Sequence, residues 1–208
     1  MGVEYCTLAR ECKTEIIVKK SKFITSVSPV NSEGDAVAFV ERIRKQYWDA
    51  THNVYGFVVG DNDEVARFSD DGEPSGTAGK PVFEAIKVEK VKYSVVVVTR
   101  YFGGILLGAS GLIRAYGQAA HEGIREAGIV TMRLYTKVSF AIDYNNVNKV
   151  QRYLESCGYF DAQFSYQDRV FVDVDVMSTE VESFCAQMTE LLLGNFSPTY
   201  GEEKYMAR

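Results

Sequence analysis

Four consecutive valines, Val95 to Val98, constrain this chain more than any other segment. A strand with one wet face alternates apolar and polar residues, so an unbroken apolar run reads as a strand buried on both faces. The flanking pattern supplies elements to pack around it. Glu15-Ile16-Ile17-Val18 and Phe23 to Val27 read as two strands around the basic turn Lys19-Lys20-Ser21-Lys22. Ser32, three residues before Asp35, signals the start of a helix in which Ala36, Val40, Ile43 and Tyr47 recur at helical spacing. Glu41, Arg42, Arg44 and Lys45 lie opposite them and read as a solvated face. Val54 to Val59 and Glu64 to Phe68 form a hairpin across Gly60-Asp61-Asn62-Asp63. Pro81 suits the first turn of the next helix, and a further helix runs from about Leu112 to Ala127, with Gly128 placed to end it.

Residues 129–137 show no globular pattern and read as a linker, giving an N-terminal domain over 1–132 and a C-terminal domain over 137–208. Within the second, Val138 to Ile142 is a strand. Val147, Val150, Leu154 and Cys157 mark a helix closed by Gly158. Val170, Val172, Val174 and Val176 alternate with Arg169, Phe171, Asp173 and Asp175 in a half-buried strand, with Phe160 to Tyr166 as its hairpin partner. Thr179 with Glu182 predicts a capping box for a helix carrying Val181, Phe184, Cys185, Met188 and Leu192, and Thr199 to Met206 supplies a last strand. The order βαββαβ is the ferredoxin-like arrangement, two helices on one face of a four-stranded antiparallel sheet.

Bulk properties narrow the function. Of the 208 residues 46% are hydrophobic, enough for packed cores without disulfides or a metal staple. Cys6, Cys12, Cys157 and Cys185 form no CxxC pair, and with only His52 and His121 beside them they make poor zinc spacing; reduced thiols in a cytoplasmic protein are expected. No apolar run approaches the roughly 20 residues that span a bilayer. The net charge of −5 lies wholly in residues 137–208, with 6 Lys/Arg against 11 Asp/Glu, whereas residues 1–136 hold 17 of each. Contact with phosphate therefore belongs first to the N-terminal half.

Two loops there carry the chemistry. In Ser69-Asp70-Asp71-Gly72-Glu73-Pro74-Ser75-Gly76-Thr77-Ala78-Gly79-Lys80-Pro81, three carboxylates precede small residues and a helix start. Free N–H groups at such a start, with Lys80, attract anions, and the carboxylates suit Mg²⁺. The competing reading is a turn network in which Asp70 and Asp71 cap local N–H groups. The second loop, Thr99 to Gly111, joins the buried strand to a helix. It contains Arg100, Tyr101, Phe102, Gly103, Gly104 and Gly108, and Arg114 follows it. It has neither a P-loop ending nor a GxGxxG, so its glycines serve either a phosphate cradle or close helix–strand packing. Arg100 and Arg114 either bind phosphate or pair with Asp70, Asp71 or Glu73. Tyr101 and Phe102 either stack on a base or enter a core. His52 is either a catalytic base lacking a nucleophile partner or a hydrogen-bonded structural histidine.

At these residues the chain resembles the IMPACT/YigZ family. The resemblance rests on residues 69–81, on Val-Val-Val-Thr-Arg-Tyr-Phe-Gly-Gly over 96–104 with Leu107-Gly108, on Asp49-Ala50-Thr51-His52 and on Lys20-Ser21-Lys22-Phe23-Ile24. It covers most of residues 15–130, and the remainder matches the family's bacterial two-domain layout by length and element order. Ser110-Gly111 stands where the family's glycine pair is expected. The resemblance implies an α+β protein. Its N-terminal part is an α/β sandwich like the second domain of a small-subunit ribosomal protein. Its C-terminal part is a ferredoxin-like domain like the last domain of elongation factor G. It further implies a translation-associated regulatory protein, since the eukaryotic relatives act in translational control by competing for the activator of a starvation-sensing kinase. The expected partner is the ribosome, RNA or a translation factor, without membrane, cofactor or resident metal. The expected binding residues are His52, Asp70, Asp71, Gly72, Glu73, Ser75, Gly76, Thr77, Gly79, Lys80, Arg100, Tyr101, Phe102, Gly103, Gly104, Gly108 and Arg114. The alternative is a Mg²⁺-dependent nucleotide- or phosphate-binding enzyme, with Asp70, Asp71 and Glu73 on the metal.

Overall fold

The computed structural model describes residues 4–207. The chain divides into two compact units, Met1–Thr131 and Met132–Arg208, and its fold is α+β throughout.

The valine run lies in strand β6 (Ser94–Tyr101), buried from Ser94 to Arg100. It is the centre of a five-stranded antiparallel sheet with β2 (Cys12–Val18), β3 (Ser21–Pro29), β4 (His52–Val59) and β5 (Val65–Ser69), in the order β2-β3-β6-β4-β5. Both faces are covered, as the run demands. Val96 and Val98 pack with Phe23, Val27 and Val54 under α2 (Gly79–Val88) and α3 (Ala109–Ala127). Val95 and Val97 pack on the other face under Ala36, Phe39, Val40 and Ile43 of α1 (Glu33–Gln46). Period-2 alternation thus assigns each β6 side chain to one layer, and Arg100 falls on the α2/α3 side.

Local chemistry sets the helix positions. Ser32 caps α1, its hydroxyl accepting from Asp35 N–H at 3.1 Å. Helix α3 lies close on β3 because Gly123 has no side chain: a Cβ there would stand 2.6 Å from Thr25 Cγ2. Thr25 Oγ1 donates to the Ala119 carbonyl at 3.1 Å across the same contact. Opposite the apolar stripe of α1, Glu41, Arg42 and Lys45 are exposed, as expected. Arg44 is half-buried and donates to Asp71 Oδ1 at 3.1 Å.

The segment read as a linker is structured. Strand β7 (Ile129–Ile142) runs through it without a break, pairing with β10 (Thr199–Ala207) from Met132 to Ser139 and with β9 (Val170–Met177) from Tyr135 to Ile142. Residues 130–134 are half-buried, with no fully buried face to impose alternation, so the strand left no period-2 signature. Beside its first residues runs β1 (Glu4–Leu8), where Cys6 Sγ lies 3.8 Å from Thr131 Oγ1.

In the second unit β10, β7, β9 and β8 (Gln163–Tyr166) form the order 4-1-3-2 of a ferredoxin-like sheet, all pairs antiparallel. Its core joins Val138, Phe140, Val172 and Val174 to Val150 and Leu154 of α4 (Val147–Ser156) and to Phe184 and Met188 of α5 (Val181–Leu191). The predicted capping box is absent. Glu180 N–H donates to the Met177 carbonyl at 2.7 Å, closing a turn that leaves Glu180 at the N-cap without a side-chain cap. Thr179 is spent inside that turn.

Candidate functional site

The first loop folds around its own carboxylates. Asp70 accepts from the N–H groups of Gly76 at 2.8 Å, Ala78 at 3.0 Å and Gly79 at 2.8 Å. Partial burial pushes its carboxyl up, but the three donors outweigh this and hold it below the usual carboxylate range. The amides at the start of α2, expected to receive an external anion, are therefore filled by the chain itself. Gly79 is needed for this closure, since a Cβ there would stand 2.6 Å from the Ser69 carbonyl.

Asp71, at φ +46°, turns its carboxylate away. Oδ2 accepts from Asn53 N–H at 2.6 Å and Oδ1 from Arg44. Its carbonyl lies 2.7 Å from His52 Nδ1. Glu73 points into the protein, its side chain 3% exposed, and Oε1 accepts from Arg100 at 2.6 Å and from the Tyr116 hydroxyl at 2.7 Å. Burial, and then this bond to Glu73, push the Tyr116 phenol far above its ordinary range. The three carboxylates thus face three separate sets of donors, and no cluster of metal-ligating side chains occurs among the described residues. The Mg²⁺ reading of Asp70, Asp71 and Glu73 loses its geometry.

Arg100 is held from several sides. Its guanidinium donates to Glu73 and to Ser21 Oγ, at 3.3 Å, and its central carbon lies 5.6 Å from the ring centres of both Phe23 and Phe102. Its Nε–H is buried without a partner among the described residues. Ser21 Oγ also accepts from Gly103 N–H at 3.2 Å, and a Cβ on Gly103 would stand 2.0 Å from the Lys20 carbonyl. Gly103 is a packing glycine, and Gly104 and Gly108 are turn glycines at φ +81° and +71°. Packing and turns account for glycine at all three without a phosphate cradle.

The two loops nevertheless meet at a cleft of about 410 Å³. His52, Glu73 and Arg100 form its charged base, with Thr51 beside them, and Pro74, Phe102, Leu106, Leu107, Gly108, Ala109 and Leu112 line its walls. The tautomer of His52 follows from its partner. A carbonyl only accepts, so Nδ1 carries the proton toward Asp71, and in the neutral ring Nε2 carries the lone pair. Nε2 lies 3.8 Å from Glu73 Oε1, too far for a hydrogen bond.

Of the expected binding residues, the cleft gathers His52, Glu73, Arg100, Phe102 and Gly108. Asp70, Asp71, Gly72, Gly76, Thr77 and Gly79 form the loop network behind it, where Thr77 Oγ1 donates to the Pro74 carbonyl at 2.6 Å. Ser75, Lys80 and Arg114 are exposed and are not among the residues lining the cleft. Tyr101 packs against the α1 layer, its hydroxyl donating to Asp49 at 2.8 Å. Burial and that bond push its phenol up to about 12. Sequence reasoning missed Tyr116 and Ser21, which hold the base, and Leu106, Leu107 and Leu112, which line the walls. Tyr116 was legible only as a helix-face apolar position, because its polar partner is 43 residues away.

Comparison with known proteins places this architecture. Residues 19–124 match the Impact N-terminal domain and residues 140–195 a domain of unknown function, DUF1949. IMPACT family member YvyE of Bacillus subtilis is 39% identical over 204 residues, spanning 98% of this chain and 94% of the relative. IMPACT family member YigZ of Escherichia coli is 33% identical, spanning 86% and 88%. The crystal structure of a hypothetical protein, 30% identical, superposes with a TM-score of 0.63 over 97% of this chain and 99% of the other. With a first half that matches the Impact N-terminal domain and similarity to an IMPACT family member running nearly end to end, this chain belongs to the IMPACT family.

Proposed function

We propose that the protein is a regulatory binding protein of the translation apparatus, that it engages a protein component of the ribosome or a translation factor, and that the cleft of its N-terminal unit is the contact site. Family membership supports the link to translation, through the role the resemblance implies. The observation that carries the choice of a protein partner is the character of the cleft rim. Phe102, Ile105 and Leu106 are 47%, 40% and 83% exposed on one loop. Apolar side chains held in water beside a groove favour a partner that buries them. A nucleic-acid backbone would call for unpaired cations, and Arg100, the arginine of the cleft, is committed to Glu73.

The test is sedimentation of the purified chain with purified 70S ribosomes through sucrose at low salt, alone and after nuclease trimming of exposed RNA. Co-sedimentation that survives trimming and is lost in Leu106→Asp supports the proposal. A chain that stays wholly in the soluble fractions, and that captures no translation factor when these are offered singly, overturns it.

A further inference from the structure

The chemistry at the base of the cleft points to what the cleft receives. We infer that it takes an aromatic side chain ending in a hydrogen-bond donor, a tyrosine or tryptophan of the partner protein, and that Nε2 of His52 accepts the donor. The inference rests on the proposed function, because it names the partner group for that same site.

His52 Nδ1–H is committed to the Asp71 carbonyl, so in the neutral ring Nε2 is an acceptor. None of the described residues donates to it. Glu73 Oε1 lies 3.8 Å away and already accepts from Arg100 and Tyr116. The His52 side chain is 19% exposed and lines the cleft, so this lone pair is open to a ligand. An occupant that supplies a donor to this open acceptor makes a hydrogen bond in addition to its contact area.

The walls set the rest of the occupant. Pro74, Leu106, Leu107 and Leu112 are apolar, and Phe102 presents an aromatic ring. At about 410 Å³ the cleft lies at the small end of the range for ligand pockets, with room for one large side chain and the main chain around it. Tyrosine and tryptophan combine an apolar body with a donor at the far end, which matches apolar walls over one acceptor. A phosphate or carboxylate fits worse. It brings no donor for Nε2 and would set its charge against Glu73.

The test uses the full chain and random hexapeptides displayed on phage. The expected result is enrichment of peptides carrying Tyr or Trp. Tyr→Phe in an enriched peptide should weaken binding about five- to ten-fold. His52→Phe should weaken the tyrosine peptide similarly while leaving the phenylalanine version unchanged. That non-additivity assigns the hydroxyl to His52. Leu106→Asp, at an 83% exposed position with no role in the core, should abolish binding with unfolding unchanged, and the unchanged affinity of His52→Phe for the phenylalanine peptide guards against misfolding of that variant. Enrichment without aromatic donors, or additive effects of the two substitutions, overturns the inference. So does a free tyrosine-containing metabolite that binds where every peptide fails. If ribosome binding persists while the peptides fail, the inference falls and the proposed function stands; the reverse result removes the proposed function.

Discussion

Arg100→Met isolates the contribution of the ion pair at the base of the cleft. The side chains of Arg100 and Glu73 are 6% and 3% exposed, so solvent screens their interaction little. Methionine keeps an apolar stem between Phe23 and Phe102 and removes the charge. Glu73 is then left with the Tyr116 hydroxyl alone on Oε1. Breaking a buried pair by removing one partner costs about 3–5 kcal/mol, and the remaining hydroxyl places this case near the lower end, at about 3 kcal/mol. Glu73→Leu should cost a similar amount, because Arg100 would then keep only Ser21 Oγ and one of its N–H groups is already unpartnered. The double variant buries no charge, so its loss should fall below the sum of the single losses by about 2 kcal/mol or more. Urea unfolding followed by far-UV circular dichroism reads the three differences from the midpoint and slope of the transition. Two single variants within about 1 kcal/mol of wild type, with an additive double, would refute the reasoning. The pair would then be screened, and the base of the cleft would not be a dry, fixed platform.

Two further substitutions probe the loops. Asp70→Ala removes one acceptor from three N–H groups and should cost about 2 kcal/mol near neutral pH. The folded carboxyl lies below its unfolded value, so the contribution is fully present above the unfolded pKa and is lost as pH falls through the folded one. The difference between wild type and Asp70→Ala should therefore be flat from pH 7 to about 5 and shrink below about 4, in urea titrations at each pH. Gly103→Ala forces a Cβ to within 2.0 Å of the Lys20 carbonyl and should cost about 2 kcal/mol or more with chemical-shift changes in the Lys19-Lys20 turn. Gly104→Ala meets nothing within 4 Å and should cost only the strain of its positive φ, about 1 kcal/mol.

Periodicity explains what the sequence revealed of the fold. Helix α1, β6 and α3 carry strong apolar repeats, because each buries one defined face or, for β6, two, whereas the β4–β5 hairpin is marked by its Gly60-Asp61-Asn62-Asp63 turn. Residues 129–137 carry none, because both faces of β7 are half-covered over 130–134 and the consecutive Tyr135 and Thr136 are both buried. The turn expected over Lys19-Lys20-Ser21-Lys22 is confined to Lys19 and Lys20, since β3 begins at Ser21, and neither lysine is a residue that favours its positive φ of 45° and 68°. At the site, residue types left each loop with two readings, and what decides between them is where side chains end across long separations. Asp70 reaches Gly79 within its own loop. Arg100 finds Glu73 across 27 positions and Ser21 across 79. No local pattern encodes such pairings.

The acidic loop is better understood as the mount for the cleft than as a ligand site. Asp70 fastens the loop to the start of α2, and Asp71 fastens it to β4 through Asn53 and to α1 through Arg44. Between these anchors the chain offers two groups to the side chains of the cleft base: the Asp71 carbonyl, which sets the His52 tautomer, and Glu73, which neutralises Arg100. Asp71 and Glu73, whose chemistry suggested a metal, instead fix side chains at the cleft base, and Asp70 fixes the loop that carries them. A site held this way presents one acceptor at a fixed point, and that suits selection of a donor-bearing side chain better than capture of a diffuse negative charge.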